Sequence, residues 1–106
     1  MSDTGKWAIA YLDEKHKKEI EGRYKSDTQL EKRWKDFERD VTQNPYYHTK
    51  YKRIVKLKDS PYPEGSYRYK NEPIRVVYYP EKSNNIVYPL AVGTATDIPY
   101  KRRSFK

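Results

Sequence analysis

The sequence predicts an α+β domain in which one strand, two helices and three further strands follow one another along the chain. Two observations carry this prediction. Apolar residues recur at helical spacing through residues 12–41, and three alternating or β-branched runs separated by turn residues fill residues 65–92. Because the last three strands are consecutive, we expect a three-strand meander in a mostly antiparallel sheet, with the helix hairpin packed on one face. The length suits a single domain, residues 1–106.

The first elements are a short strand and a helix. Residues 6–11 alternate weakly in polarity and predict the strand. Asp13 is placed to begin the helix after it. One face of that helix is formed by residues that recur at spacings of four: Leu12, His16, Ile20 and Tyr24.

The second helix has the clearest pattern in the chain. Ser26 and Gln29 have the spacing of a capping box, which predicts the start of the helix at Ser26. Residues 44–45, Asn-Pro, end it. Between these limits the apolar positions fall on one face: Leu30, Trp34, Phe37 and Val41.

The three strands of the meander are separated by turn residues. We predict strands over residues 65–70, 74–79 and 86–92, with a turn at 71–73. Pro89 interrupts the last strand and favours an edge or a bulge there. Before them, residues 45–63 are irregular and basic, and hold at most a short strand or turn.

Composition excludes several classes of site. The chain has no cysteine and only two histidines, so no thiolate or histidine-rich metal site is expected, and no cofactor is predicted. His48 is interpreted as a surface residue and His16 as a satisfied core residue. No apolar run is long enough to span a membrane and no signal peptide precedes the domain, so a cytoplasmic protein without membrane contact is expected.

The net positive charge of the chain is confined to its second half. Residues 1–43 contain 10 Lys or Arg and 10 Asp or Glu, whereas residues 44–106 contain 13 and 5 and hold the whole net charge of +8. Ten of the twelve tyrosines lie in the same half. Cations neutralise phosphates and aromatic rings stack on bases, so this mixture indicates a nucleic-acid partner, RNA rather than duplex DNA because unpaired bases are free to stack.

Three cations are predicted to share one face of the sheet. Alternation puts Arg68 and Lys70 on one face of their strand and Tyr67 and Tyr69 on the other. A meander brings Arg75 of the next strand beside Arg68 and Lys70 if the register allows. Such a group is either a solvated sheet face or a cradle for phosphate. The remaining predicted RNA contacts lie in the basic loop and the C-terminal tail: Lys50, Lys52, Arg53, Lys56, Lys101, Arg102 and Arg103.

The element order, together with four segments, resembles the RelE/ParE toxin superfamily. These segments are Tyr67-Arg-Tyr-Lys70, Pro73-Ile-Arg-Val-Val-Tyr-Tyr79, Leu90-Ala-Val-Gly93 and the final Tyr100. The resemblance covers most of the chain and is sharpest over residues 65–80.

In the RNA-cleaving branch, the resemblance implies a toxin of a toxin–antitoxin system that cleaves mRNA on the ribosome without a metal and blocks translation. Carried over by position, the catalytic residues are Arg68, Lys70, Arg75 and Tyr100. An arginine at the scissile phosphate stabilises charge that builds in the transition state. Neighbouring cations favour Lys70 as the proton acceptor, and Tyr100 stacks on a base. The implied partners are mRNA, the ribosome and an antitoxin protein with an acidic segment.

The chain also departs from the family pattern. RNA-cleaving members usually carry a further arginine or histidine before the terminal tyrosine, whereas residues 94–99 here contain no base and include Asp97. Either Arg102 or Arg103 substitutes, catalysis is weak, or the activity differs. Two alternatives therefore stay open: a ParE-like inhibitor of DNA gyrase, and a non-catalytic module that binds RNA or the ribosome.

Overall fold

The computed structural model describes residues 7–50, 52–94 and 96. The α+β class with two helices is confirmed. The elements along the chain are β1 (Ala8–Ile9), α1 (Glu14–Lys25), α2 (Thr28–Gln43), β2 (Ile54–Lys56), β3 (Tyr67–Asn71), β4 (Ile74–Glu81) and β5 (Ile86–Gly93).

The sheet is mixed and has five strands in the order β1-β5-β4-β3-β2. The pairs β2–β3, β3–β4 and β4–β5 are antiparallel, whereas β1 pairs parallel to β5. The predicted sheet was therefore incomplete. It left open whether residues 45–63 hold a short strand or a turn, because the three residues of β2 are too few to show alternation, and it did not include a parallel pair. Strand direction depends on how the chain crosses back over the sheet, and the residues of β1 carry no signal for it.

Acidic side chains begin both helices. The Asp13 carboxylate accepts a hydrogen bond from the backbone N–H of His16 at the start of α1. At α2 the cap is Asp27, which accepts from the N–H groups of Gln29 and Leu30. The predicted cap, Ser26, instead ends α1. A carboxylate suits the positive end of a helix better than a hydroxyl does, which explains the one-residue difference.

The core lies between the two helices and one face of the sheet, and it is largely aromatic. Trp34 of α2 stacks on Tyr24 of α1, with ring centroids 4.3 Å apart. Phe37 is fully buried and meets Tyr69 and Tyr78 of the sheet edge-on. Aromatic rings thus supply the apolar area that a chain with few aliphatic residues lacks.

Pro89 marks a bulge in β5. The register shifts between Val77 and Tyr78, so that Tyr78 lies opposite Pro89 and Leu90 has no partner on β4. The carbonyl of Pro89 lies 3.0 Å from His16 Nε2, which makes His16 a satisfied, partly buried residue as expected. Neither helix in the described part of the chain is long and apolar enough to cross a membrane.

Candidate functional site

Both helices pack on the same face of the sheet. Alternation turns Tyr69 and Val76 toward them, where both are fully buried. The intervening residues point away from the helices. We call this opposite surface the open face because neither helix covers it; on the central strands it carries Arg68, Lys70, Arg75, Val77 and Ala91. Two of these residues are nonetheless buried, Val77 at 0% and Arg75 at 9% exposure.

Strand register brings three cations together on the open face, Arg68, Lys70 and Arg75, which we call the cation row. Lys70 on β3 lies directly opposite Arg75 on β4, and Arg68 lies one row further along, opposite Val77. On its other side Arg75 pairs with Gly93 of β5, which contributes no side chain. The juxtaposition that the sequence predicted, conditional on register, is therefore present.

Arg75 is the most unusual of the three, because it is only 9% exposed. Its Nη2 donates to Glu72 Oε2 at 3.0 Å. Its Nη1 is buried and has no hydrogen-bond partner among the described residues. A buried hydrogen-bond donor without an acceptor costs about 1–3 kcal/mol. Arginine cannot avoid this cost by losing its proton at physiological pH. An anion that reaches Nη1 would recover that cost.

Glu72 sits at the turn between β3 and β4, and its side chain is 67% exposed. The hydrogen bond from Arg75 has the largest effect on the pKa of Glu72 and lowers it. Burial raises this pKa by less, and the charges of Arg75 and Lys70 lower it further. The backbone carbonyl of Glu72 accepts a hydrogen bond from Arg33 Nε of α2 at 3.1 Å. The backbone of the turn is thus anchored while the carboxylate reaches into solvent.

Arg68 is oriented by the loop before β2. Its Nη2 donates to the carbonyl oxygen of Lys52 at 2.7 Å. Lys52 has a φ of 59°, in the left-handed region that non-glycine residues rarely adopt. Arg68 therefore ties this loop to the cation row.

The predicted RNA contacts of the basic loop do not form one surface. Lys50 and Lys52 are exposed between α2 and β2. Lys56 is exposed on edge strand β2 opposite Tyr67, a position that alternation assigns to the helix side. Tyr100, Lys101, Arg102 and Arg103, which were also predicted, lie outside the described residues.

Arg53 was predicted to contact RNA, but it lies in the protein's interior network. Its side chain is 16% exposed, with Nη1 3.7 Å from Asp40 Oδ2. The guanidinium also lies over the ring of Tyr69, 5.8 Å from its centroid. A buried carboxylate attracts the nearest cation, which outweighs the tendency of an arginine in a polar loop to face solvent.

Asp40 is the centre of this network, which sequence reasoning missed. Tyr69 Oη donates to its carboxylate at 2.7 Å and Arg39 Nε at 3.1 Å, while His48 Nε2 lies 3.3 Å away. Burial alone would raise the pKa of Asp40, but the hydrogen bonds from Tyr69 and Arg39 and the neighbouring positive charges lower it below its usual value. Apart from the adjacent Arg39, the partners come from separate segments, so no local pattern reveals them.

His48 is part of the same network rather than a surface residue, since its side chain is only 17% exposed. Its Nδ1 accepts a hydrogen bond from the backbone N–H of Lys50 at 3.0 Å, and its Nε2 faces Asp40. Both ring nitrogens are engaged. His48 is therefore not available as a free acid or base in this conformation.

Three tyrosines of the basic half belong to the core or pack against it. Tyr69 and Tyr78 are fully buried, and Tyr67 packs against the core. Tyr47, in contrast, is 63% exposed and Tyr46 37% exposed. Part of the excess of tyrosine thus builds the aromatic core and is not a surface for stacking bases.

Residues suited to metal binding are not gathered in the described part of the chain, where no three His, Cys, Asp or Glu side chains form a group able to hold an ion. A scan against protein-family models finds no match, and a search of curated proteins finds no relative. The function is therefore inferred from the chain's own residues.

Proposed function

We propose that this protein is a RelE/ParE-like toxin whose open face binds the phosphates of mRNA and promotes ribosome-dependent cleavage. The observation that carries the proposal is the unfilled Nη1 of buried Arg75, directly across the strands from Lys70. A buried cation with a spare donor on a face not covered by the helices is suited to an anionic ligand.

The chemistry needs no metal. The 2′-oxygen of a ribose forms a bond to the adjacent phosphorus, the bond from phosphorus to the 5′-oxygen breaks, and a 2′,3′-cyclic phosphate and a 5′-hydroxyl result. The 2′-hydroxyl proton must be accepted and the 5′-oxygen must receive a proton. Arg75 would stabilise the added charge on the phosphate, Lys70 would accept the 2′-hydroxyl proton, and a water molecule would give a proton to the leaving 5′-oxygen. Arg68 would hold a neighbouring phosphate. Tyr100 keeps its proposed role of stacking on a base.

The proposed partners are mRNA, the ribosome and a neutralising antitoxin. The net charge of +8 lies wholly in the half that contains the cation row, which favours polyanions. An antitoxin with an acidic segment would compete for the same surface.

A non-catalytic RNA- or ribosome-binding module is the second candidate, and one observation favours it. Arg75 already holds the Glu72 carboxylate, and Arg68 holds a backbone carbonyl, so two of the three cations are partly engaged. Engaged cations still attract RNA but stabilise a transition state less well. The ParE-like alternative remains a further outcome of the same test.

The test is cell-free protein synthesis with the purified protein, followed by primer extension on the mRNA. The proposal predicts arrest with new 5′ ends inside the coding region, and a loss of about 100-fold or more in Arg75→Ala. Lys82→Ala, which removes an exposed cation from the turn between β4 and β5, is the matched control and should remain active.

Other results would redirect the assignment. Arrest with intact mRNA would indicate the non-catalytic module. Normal synthesis together with inhibition of gyrase supercoiling would indicate the ParE-like activity. Equal activity of Arg75→Ala and the unmodified protein would contradict the proposed site.

A further inference from the structure

The guanidinium of Arg75 has one occupied arm and one empty arm. Nη2 donates to Glu72 Oε2 at 3.0 Å, while Nη1 is buried without a hydrogen-bond partner in the described structure. The two arms of a guanidinium form a fork that matches two oxygens of one phosphate. Glu72 therefore holds half of the position that a phosphate would take.

The Glu72 carboxylate is positioned to leave. Its side chain is 67% exposed, so water can solvate it once it separates from Arg75. Its backbone is held independently, because the Glu72 carbonyl accepts from Arg33 Nε. Rotation of the side chain therefore need not move the turn or the strands on either side. An ion pair with one member so exposed contributes little and is easily exchanged.

We propose that Glu72 is an internal competitor for phosphate, which occupies Arg75 in the free protein and is displaced when RNA binds. The inference rests on the proposed RNA-binding function of the open face. A phosphodiester and a carboxylate are both anionic, so they repel each other at a single guanidinium. Glu72 thus weakens RNA binding, and an RNA phosphate gains both arms of Arg75 only by displacing it.

The opposite role, in which Glu72 accepts the 2′-hydroxyl proton, is less consistent with the geometry. The carboxylate is already hydrogen-bonded to the cation that would hold the phosphate. That bond also lowers the pKa of Glu72, which makes it a weaker base. The two roles predict opposite effects of Glu72→Gln.

The experiment is binding of a fluorescein-labelled single-stranded 12-mer RNA carrying 2′-O-methyl groups, which cannot be cleaved, measured by fluorescence anisotropy. We expect Glu72→Gln to bind about threefold more tightly than the unmodified protein. Glu64→Gln removes the same charge from an exposed position in the 57–66 loop and should change affinity less. In an Arg75→Lys background, which keeps the charge but loses the fork, Glu72→Gln should bring no gain.

Each of the following results would overturn the proposed role of Glu72. If Glu72→Gln binds like Glu64→Gln or more weakly while Arg75→Lys is impaired, the inference fails and the proposed RNA site survives. If Arg75→Lys and Arg75→Ala bind like the unmodified protein, the RNA site fails and the inference with it. If Glu72→Gln loses translation arrest while its affinity for the RNA equals that of the unmodified protein, Glu72 is a proton acceptor and the competitor role is wrong.

Discussion

Two buried charges, one on each side of the sheet, differ in how fully the fold supplies them with hydrogen-bond partners. On the helix side, the Asp40 carboxylate accepts hydrogen bonds from Tyr69 and Arg39. His48 Nε2 and Arg53 Nη1 lie 3.3 and 3.7 Å from it. On the open face, Arg75 has one acceptor and a buried nitrogen left unfilled in the described structure.

The difference is the one expected between a charge that holds segments together and a charge that receives a ligand. A buried charge with every position filled fixes how segments pack, and losing one partner destabilises the fold. A buried charge with a position left open costs stability and is retained where a ligand completes it. By this criterion the helix side maintains the fold, and the open face is the side on which we propose that the substrate binds.

The largest stability effect should come from the core on the helix side. Phe37→Ala removes a fully buried ring that contacts Tyr69 and Tyr78, and should lower the free energy of unfolding by about 3–5 kcal/mol. Tyr47→Ala removes a ring that is 63% exposed and should change it by less than about 0.5 kcal/mol. Urea denaturation measures both, and equal losses would contradict the assigned packing.

Asp40→Ala should be the next most destabilising change, by about 2–4 kcal/mol, because it leaves the Tyr69 hydroxyl and nearby cations without their shared acceptor. Asp36→Ala is the control. Asp36 pairs with Arg33 and Arg39 in a more exposed position, so its removal should cost under about 1 kcal/mol. A loss for Asp40→Ala no greater than for Asp36→Ala would show that the network is not structural.

Arg75→Leu should barely change stability, within about 1 kcal/mol, despite the burial of Arg75. The substitution removes a desolvated cation with an unfilled donor, and the Glu72 carboxylate it releases is solvated. Thermal and urea unfolding test this expectation. A loss above about 2 kcal/mol would place Arg75 in the same structural class as Asp40.

The smallest expected effect is a difference in acid sensitivity. The folded-state pKa of Asp40 lies below its ordinary value of 3.8, so its stabilisation is complete above that value and is lost as pH falls through the folded pKa. The unmodified protein should therefore lose more stability between pH 5 and the acid limit than Asp40→Asn does. Urea midpoints measured across this range give both slopes, and parallel slopes would contradict the assigned titration.

The sequence was sufficient wherever the relevant signal is local. The spacing of Leu30, Trp34, Phe37 and Val41 predicted one face of α2, and all four are buried. Alternation likewise predicted that Arg75 would join Arg68 and Lys70 on one face if the register allowed, and the structure pairs Lys70 with Arg75. Such features depend on neighbours within a few residues along the chain.

The rest depends on contacts between distant segments. Nothing near Arg53 in the sequence indicates that it turns toward Asp40, thirteen positions earlier on another element. The sequence alone suggests that Tyr69 and Tyr78 stack on bases, because the burial of both rings depends on helices far away in the chain. The parallel pairing of β1 with β5 joins residues from the two ends of the described chain. Tertiary packing settles each of these, and composition does not.

The most direct test of the division between the two faces is the protein concentration that half-arrests cell-free translation, compared between Arg75→Ala and Asp40→Asn under conditions where both are folded. The account predicts that Arg75→Ala requires about 100-fold more protein while Asp40→Asn acts at the concentration of the unmodified protein. Arrest by Arg75→Ala at the unmodified concentration would contradict the account and assign the cation row on the open face to solvent alone.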